Sequence, residues 1–314
     1  MKYLFLINPA AGKGKYQPEI ADAVRKYFDG KNEDFEIVFT SCAGDAEQRA
    51  RGIAETGERV RIFAAGGEGT VYEAANGIRG FDNAELGVIP CGTANDFLKY
   101  FGDAEPFRNI EAQVNGKAFY IDLIDAGGRL CLNGCSVGMD AMVARDMNLF
   151  KRLPAVSGSM AYKLAVLRNF FTPRLGVELS VSVDGGEPKR GRWLFAVIAN
   201  APYYGGGYKG APTAVPNDGI LDFTCVEAIP HLRVPKFLSR YKRGEFSELS
   251  YCSQLRCSRM RFVSERAVPV NRDGEISEET EMSFSLCRDA LRFVVPAGAA
   301  LPETFEENAN IKKF

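Results

Sequence analysis

Hydrophobic positions in the first third of the chain fall into short runs, each broken at a glycine-bearing turn. Tyr3–Ile7 is the first run, and Asn8-Pro9-Ala10-Ala11-Gly12-Lys13-Gly14 breaks it. Between about Pro18 and Phe28, apolar Ile20, Ala23, Val24 and Tyr27 recur at helical spacing. Phe35–Phe39 is a second strand. Asp45, with Gln48 three residues on, predicts a capping box for the next helix. Val60–Ala65 enters Gly66-Gly67-Glu68-Gly69-Thr70 and a helix through Ala75, and Leu86–Ile89 enters Gly92-Thr93-Ala94-Asn95-Asp96, which opens another. Repeated strand, glycine turn and helix predict an α/β fold: an open, mainly parallel sheet with helices on both faces. In such sheets ligands sit beyond the C-terminal ends of the strands, which is where these glycines fall.

After about residue 120 the pattern changes. Phe119–Leu123, Arg129–Asn133, Val177–Val183, Trp193–Asn200, Leu221–Val226, Arg261–Val263, Val268–Val270, Met282–Leu286 and Leu291–Val295 read as strands separated by turns. Only Met139–Phe150, Met160–Phe171 and Leu232–Tyr241 read as helices. A mostly antiparallel, β-rich second domain is expected. The predicted division is 1–125, 126–295, and a tail over 296–314 that packs back on the first domain.

Composition narrows the classes. The chain has 314 residues, enough for two ordinary domains. Thirty-nine Lys and Arg against forty Asp and Glu argue against a generally basic nucleic-acid binder. The longest apolar stretch, Trp193–Ala199, is far too short for a bilayer span. Lys2 followed by Tyr3–Ile7 resembles the start of a leader, but Asn8-Pro9 ends it early and a buried strand fits better. Eight cysteines without a C-x-x-C pair predict reduced thiols in a cytoplasmic protein. Glycine is high, at 32 residues, and clusters at the turns.

The Gly66–Thr70 turn is the sharpest chemical signal. A strand ending in clustered glycines exposes backbone N–H groups, and the following helix offers its positive end to an anion. Close strand–helix packing alone would explain the glycines; it would not explain Glu68 at their centre. Asn8–Lys15 is not a Walker A loop, because no Ser or Thr follows Lys13 or Lys15, nor is it a G-x-G-x-x-G motif. Gly92–Asp96 reads equally as a helix cap or as a polar site in which Asp96 holds a magnesium-ordered water. Gly205-Gly206-Gly207, Asn217-Asp218-Gly219 and Asp273-Gly274-Glu275 are turn-like. Asp218 with nearby carbonyls suits a hard cation. His231 is the one histidine and has no local zinc partner, so a cap or surface role is expected.

Taken in order, Asn8-Pro9 with Gly12–Gly14, Gly66–Thr70, Gly87 with Pro90 and Gly92–Asp96, Gly205–Gly207, Asp218–Asp222 and Asp273–Glu275 resemble the bacterial diacylglycerol kinase and lipid kinase family. The family lies within the diacylglycerol- and sphingosine-kinase superfamily, more distantly related to NAD kinases. The resemblance covers nearly the whole chain. It implies an enzyme with ATP and Mg²⁺ in an interdomain cleft, transferring the γ-phosphoryl to the hydroxyl of diacylglycerol or a related lipid. By that resemblance Asn8, Thr40, Gly66, Gly67, Glu68, Gly69, Thr70 and Thr93 contact nucleotide. Asp96 and Asp122 join Glu68 in organising magnesium, and Glu275 is the catalytic carboxylate. Asp218, with the Val215 and Ile220 carbonyls, matches a second, structural Mg²⁺ site. Glu68 departs from the family's commoner Asp and reaches one methylene further.

A lipid acceptor implies transient attachment to an anionic membrane surface, with no transmembrane segment and no nucleic-acid partner. Residues 231–261 and 145–174 are locally basic, and the latter carry Leu164, Leu167, Phe170 and Phe171, so one or both are expected to dock. The competing expectation places those apolar residues in the second-domain core. A homodimer stays open. Alternative acceptors are a sphingoid base, another lipid alcohol or NAD, and the different-class alternative is an ATP-binding regulatory protein without catalysis.

Overall fold

The structure is a computed structural model, and it describes all residues except 15, 92–94, 152, 154–155, 173–174 and 312–314. The chain forms two compact units. One comprises residues 1–123, 216–219 and 287–314, the other residues 124–215 and 220–286.

The first unit opens with β1 (Lys2–Ile7), α1 (Gln17–Phe28), β2 (Phe35–Phe39), α2 (Asp45–Ala54), β3 (Val60–Gly66), α3 (Glu68–Gly77) and β4 (Ala84–Pro90). Strand order is β2-β1-β3-β4, all neighbours parallel. Two short helices follow, α4 (Glu105–Arg108) and α5 (Ile110–Val114), then β5 (Lys117–Ala126). On β1, Tyr3, Phe5 and Ile7 share a core with α1 and α5, while Leu4 and Leu6, alternating to the opposite side, are buried as well. A sheet covered on both faces accounts for the unbroken apolar runs read in the sequence.

Two local readings need correction. The buried face of α1 is Ile20, Ala21, Val24 and Phe28, not Ile20, Ala23, Val24 and Tyr27. Phe28 decides the rotation: its ring stacks on Phe35 at 4.5 Å and meets Tyr3 at 5.3 Å. Tyr27 is half-buried at the edge of this core, beneath the Lys31 ammonium. The capping box at Asp45 does not form. Gly44, in the left-handed region at φ 85°, is the N-cap of α2, and Asp45 reaches back to the Ser41 N–H at 2.8 Å. The Glu73 carboxylate instead accepts from the Gly44 and Ala46 N–H groups. Asp96 opens a 3₁₀ turn, Asp96–Phe101, rather than an α-helix.

Polar residues also sit inside the sheet. Arg61 on β3 and Glu85 on β4 face each other in register and pair at 2.7 Å, each less than a tenth exposed. Arg61 also donates to the Val114 carbonyl at 2.6 Å.

The second unit holds β6 (Leu130–Cys131), β7 (Gly134–Gly138), α6 (Met139–Phe150), α7 (Gly158–Phe170), β8 (Val177–Val183), β9 (Lys189–Ala199), β10 (Leu221–Glu227), α8 (Val234–Arg243), β11 (Cys252–Cys257), β12 (Arg259–Arg272) and β13 (Glu275–Val295). Its strands run β11-β10-β9-β7-β12-β13, antiparallel throughout, and β8 pairs with both β9 and β12. The two short runs read around 261–270 are one strand with a register shift between Val263 and Val268. The runs over 282–295 are likewise one strand, which turns through Asp289 at φ 48°.

The far end of β13 counts with the first unit, where Phe293 pairs with Leu86 of β4. Helix α9 (Glu303–Ile311) completes that unit, and its fully buried Phe305 packs on Tyr100, Phe101 and Phe119. All eight cysteines are free thiols. Among the described residues no helix is long and apolar enough to cross a membrane.

Candidate active site

Parallel strands end on the same side of a sheet, so the residues just past β1, β2, β3 and β4 gather without any need for sequence proximity. Asn8 follows β1 and donates from Nδ2 to Thr70 Oγ1 at 2.9 Å. Its Oδ1 accepts the Ala10 N–H at 2.9 Å. Gln17, buried at the start of α1, donates to the Asn8 and Ala11 carbonyls and so fixes this loop. Thr40 follows β2, is buried, and donates its N–H to the Ile7 carbonyl at 2.9 Å.

Gly66 ends β3 and Gly67 caps α3 in extended conformation. A Cβ on Gly66 would collide with the Thr70 side chain, so glycine here lets Thr70 fold back to receive Asn8. A Cβ on Gly67 would meet nothing within 4 Å. The backbone at the start of α3 is therefore open to close approach, and a helix start is where an anion is favoured.

Glu68 is the first residue of α3, and its Oε1 accepts a long hydrogen bond, 3.5 Å, from the Asp96 N–H. Asp96 is 2% exposed and pairs with Lys99 at 2.6 Å. Asn95 beside it takes φ 143°, a strained value for a residue with a side chain, and donates to the Gly66 carbonyl. Asn8, Thr40, Gly66–Thr70 and Asp96 thus come together at the strand ends of the first unit. Thr93 lies outside the described residues.

Asp122 does different work. It is fully buried on β5, where its two carboxylate oxygens accept the Gly219 N–H at 2.7 Å and the Asp289 N–H at 2.9 Å. Its own N–H donates to the Pro216 carbonyl, and Arg288 donates to the Gly219 carbonyl. Asp122 therefore secures the turn that carries Asp218. Val215 and Ile220 flank that turn in the chain and count with the second unit.

Glu275 is exposed and opens β13 opposite Arg272. The turn before it, Asp273 at φ 48° and Gly274 at φ 97°, has the left-handed pair that a two-residue hairpin needs. Asp273 is a functional-looking residue that sequence reading passed over as a turn former. Its carboxylate accepts the N–H groups of Leu132, Asn133 and Gly134. Burial still pushes it up to about 6, the three donors opposing that shift. Among the described residues no group of three His, Cys, Asp or Glu side chains is arranged to hold a metal ion.

The first unit is thus an α/β fold with a glycine loop, Asn8 and Asp96 at its strand ends, and the second is antiparallel β. Comparison with known proteins narrows it. Residues 2–126 match the diacylglycerol kinase catalytic domain, and residues 133–295 match the YegS C-terminal NAD kinase beta sandwich-like domain. A Pseudomonas aeruginosa protein named "Probable lipid kinase YegS-like" is 31% identical over 242 residues, covering 76% of this chain and 78% of its own. A diacylglycerol kinase of Bacillus subtilis is 27% identical over 273 residues, covering 86% and 88%. The crystal structure of a diacylglycerol kinase from Bacillus anthracis superposes with a TM-score of 0.68 at 19% identity, covering 95% and 98%, which speaks to fold. The chain belongs to the lipid kinase family of diacylglycerol kinase type.

Proposed function

We propose that the chain is an ATP-dependent lipid kinase that transfers the γ-phosphoryl group to the hydroxyl of diacylglycerol or a related lipid. The observation that carries this reading is the convergence of Asn8, the Gly66–Thr70 loop and Asp96 at the strand ends. The space beside Gly67 and the start of α3, whose positive end favours an anion, fit nucleotide phosphates. Asn8, Thr40, Gly66, Gly67, Glu68, Gly69, Thr70 and Thr93 are assigned to the nucleotide.

Phosphoryl transfer is chiefly positioning and charge neutralisation. The oxygen-rich pair Glu68 and Asp96 suits Mg²⁺ or its waters, and the ion bound with ATP neutralises phosphate charge. Asp122 supports this by holding the Asp218 turn. Asp218, with the Val215 and Ile220 carbonyls, is assigned to a structural Mg²⁺; one carboxylate leaves most of an octahedral shell to carbonyls and water, as that ion prefers. Glu275 accepts the proton of the attacking lipid hydroxyl.

Glu275→Gln keeps shape and removes the base. Lipid phosphorylation is expected to fall by about two to four orders of magnitude, while ATP binding, measured by calorimetry, stays intact. Full turnover in that variant would remove Glu275 from the mechanism.

The acceptor sits in a bilayer, and α7 supplies a surface for one. Its Ala161, Ala165 and Asn169 are buried, and Asn169 donates to Asp146 of α6 at 2.9 Å. Val166 and Phe170 pack against the core. Met160, Leu164, Leu167 and Phe171 are exposed, Phe171 by 71%. His231 Nε2–H donates to the Thr172 carbonyl at 2.8 Å and its ring meets Phe170, which brings 94%-exposed Leu232 alongside. Lys163 and Arg168 lie on the same helix, and Arg233 and Lys236 follow Leu232. Apolar tips among basic residues match an anionic bilayer.

A further inference from the structure

Outside the strand-end cluster, the second unit holds a carboxylate whose buried oxygens close no hydrogen bond of good geometry. Asp140 is the second residue of α6, and neither of its oxygens, both buried, completes a hydrogen bond. Ser136, 2% exposed on β7, has a hydroxyl in the same condition. The two are neighbours. Burial pushes Asp140 up to about 6, opposed by the nearby Ser136 hydroxyl and the helix-start N–H groups of residues 140 and 141. Those groups favour the ionised form but do not close a bond of good geometry. Buried polar atoms in folded proteins are nearly always paired, so two adjacent unpaired ones call for a ligand or a water.

The surroundings favour a ligand with an apolar body and a polar tip. Met139 and Val143, beside Asp140 on α6, belong to a hydrophobic core that also holds Ala165, Leu194 and Phe195. Buried Tyr241 and half-buried Tyr204 join their hydroxyls at 2.6 Å. Burial raises both phenols well above their usual value, and the Asp140 charge adds to the effect on each. Gly210 permits this pair, since a Cβ there would run into both rings. A few convergent polar groups in apolar walls are what a site for a small amphipathic molecule needs.

We propose that Asp140 and Ser136 form an acceptor-recognition subsite, in which the carboxylate accepts a hydrogen bond from a hydroxyl or ammonium donor on the polar end of the lipid. This rests on the lipid-kinase reading above. It concerns binding, and Asp140 takes no part in the phosphoryl step. An acceptor carrying a donor besides the reacting hydroxyl gains most from it.

The test compares wild type, Asp140→Asn and Ser136→Ala on monooleoylglycerol, dioleoylglycerol and sphingosine in mixed micelles, with ATP affinity and thermal unfolding measured alongside. Asp140→Asn is expected to raise KM for the acceptor with the extra donor about tenfold or more, as loss of a hydrogen bond to a charged group does. Ser136→Ala should raise it less, and ATP affinity should hold in both. Should Asp140→Asn fail to fold, Ser136→Ala decides alone. Wild-type KM values in the folded variants, or equal losses of acceptor and ATP affinity, would overturn the subsite and leave a buried water as the partner. Transfer by wild type to none of the acceptors would instead remove the reading beneath it.

Discussion

Asp273 and Asp122 both accept backbone N–H groups on their carboxylate oxygens, and burial drives the Asp273 pKa up to about 6. The sign of its contribution follows. A carboxyl whose folded pKa lies above its unfolded value favours the native state fully below about pH 4, and that contribution is lost as pH rises through about 6. Wild type should therefore lose stability between pH 4.5 and 7 on this account. Asp273→Asn, which cannot ionise, should change less in stability over the same window. Urea unfolding at several pH values checks this; equal pH slopes for the two proteins would contradict it. Glu275 sits two residues past this anchor, so the same variant reports on how firmly its hairpin is held.

At the scale of elements, α7 makes the account's membrane reading testable. Leu167 is 54% exposed and Phe171 71% exposed, so changing both to Asp leaves the buried α6–α7 packing through Ala161, Ala165 and Asn169 in place. Sedimentation with vesicles of anionic lipid should capture wild type and leave the double variant in solution; equal capture of the two proteins would contradict docking through α7, and equal capture of wild type by neutral vesicles would reject the electrostatic part. The elements also show what a sequence can disclose. β1, β3 and β4 were legible because both their faces are buried and apolar runs mark them. β12 and β13 were read as fragments because exposed Glu and Arg positions interrupt their apolar alternation. β7 and β11 carry too few apolar residues to stand out. The site divides in the same way. Asn8, Gly66–Thr70 and Asp96 announce themselves by sitting at strand ends, whereas Asp140 and Asp273 are marked only by burial, which a helix-start Asp and an Asp-Gly turn do not display in sequence.

For the whole molecule, the near-balance of charge conceals a division of labour. The first unit concentrates backbone donors and carboxylates at its strand ends, and the second offers Glu275, the Asp140 subsite and the basic, apolar-tipped surface of α7. A phosphate-binding loop alone would serve an ATP sensor equally well. What separates a kinase from a sensor is an acceptor, which the proposed function assigns to Glu275, Asp140 and α7. Incubation of the purified chain with γ-labelled ATP, Mg²⁺ and a panel of diacylglycerol, monoacylglycerol, sphingosine and NAD measures this directly. The account predicts label on at least one lipid alcohol, dependent on magnesium and lost in Glu275→Gln. Label on none of the four, or on NAD alone, would contradict it.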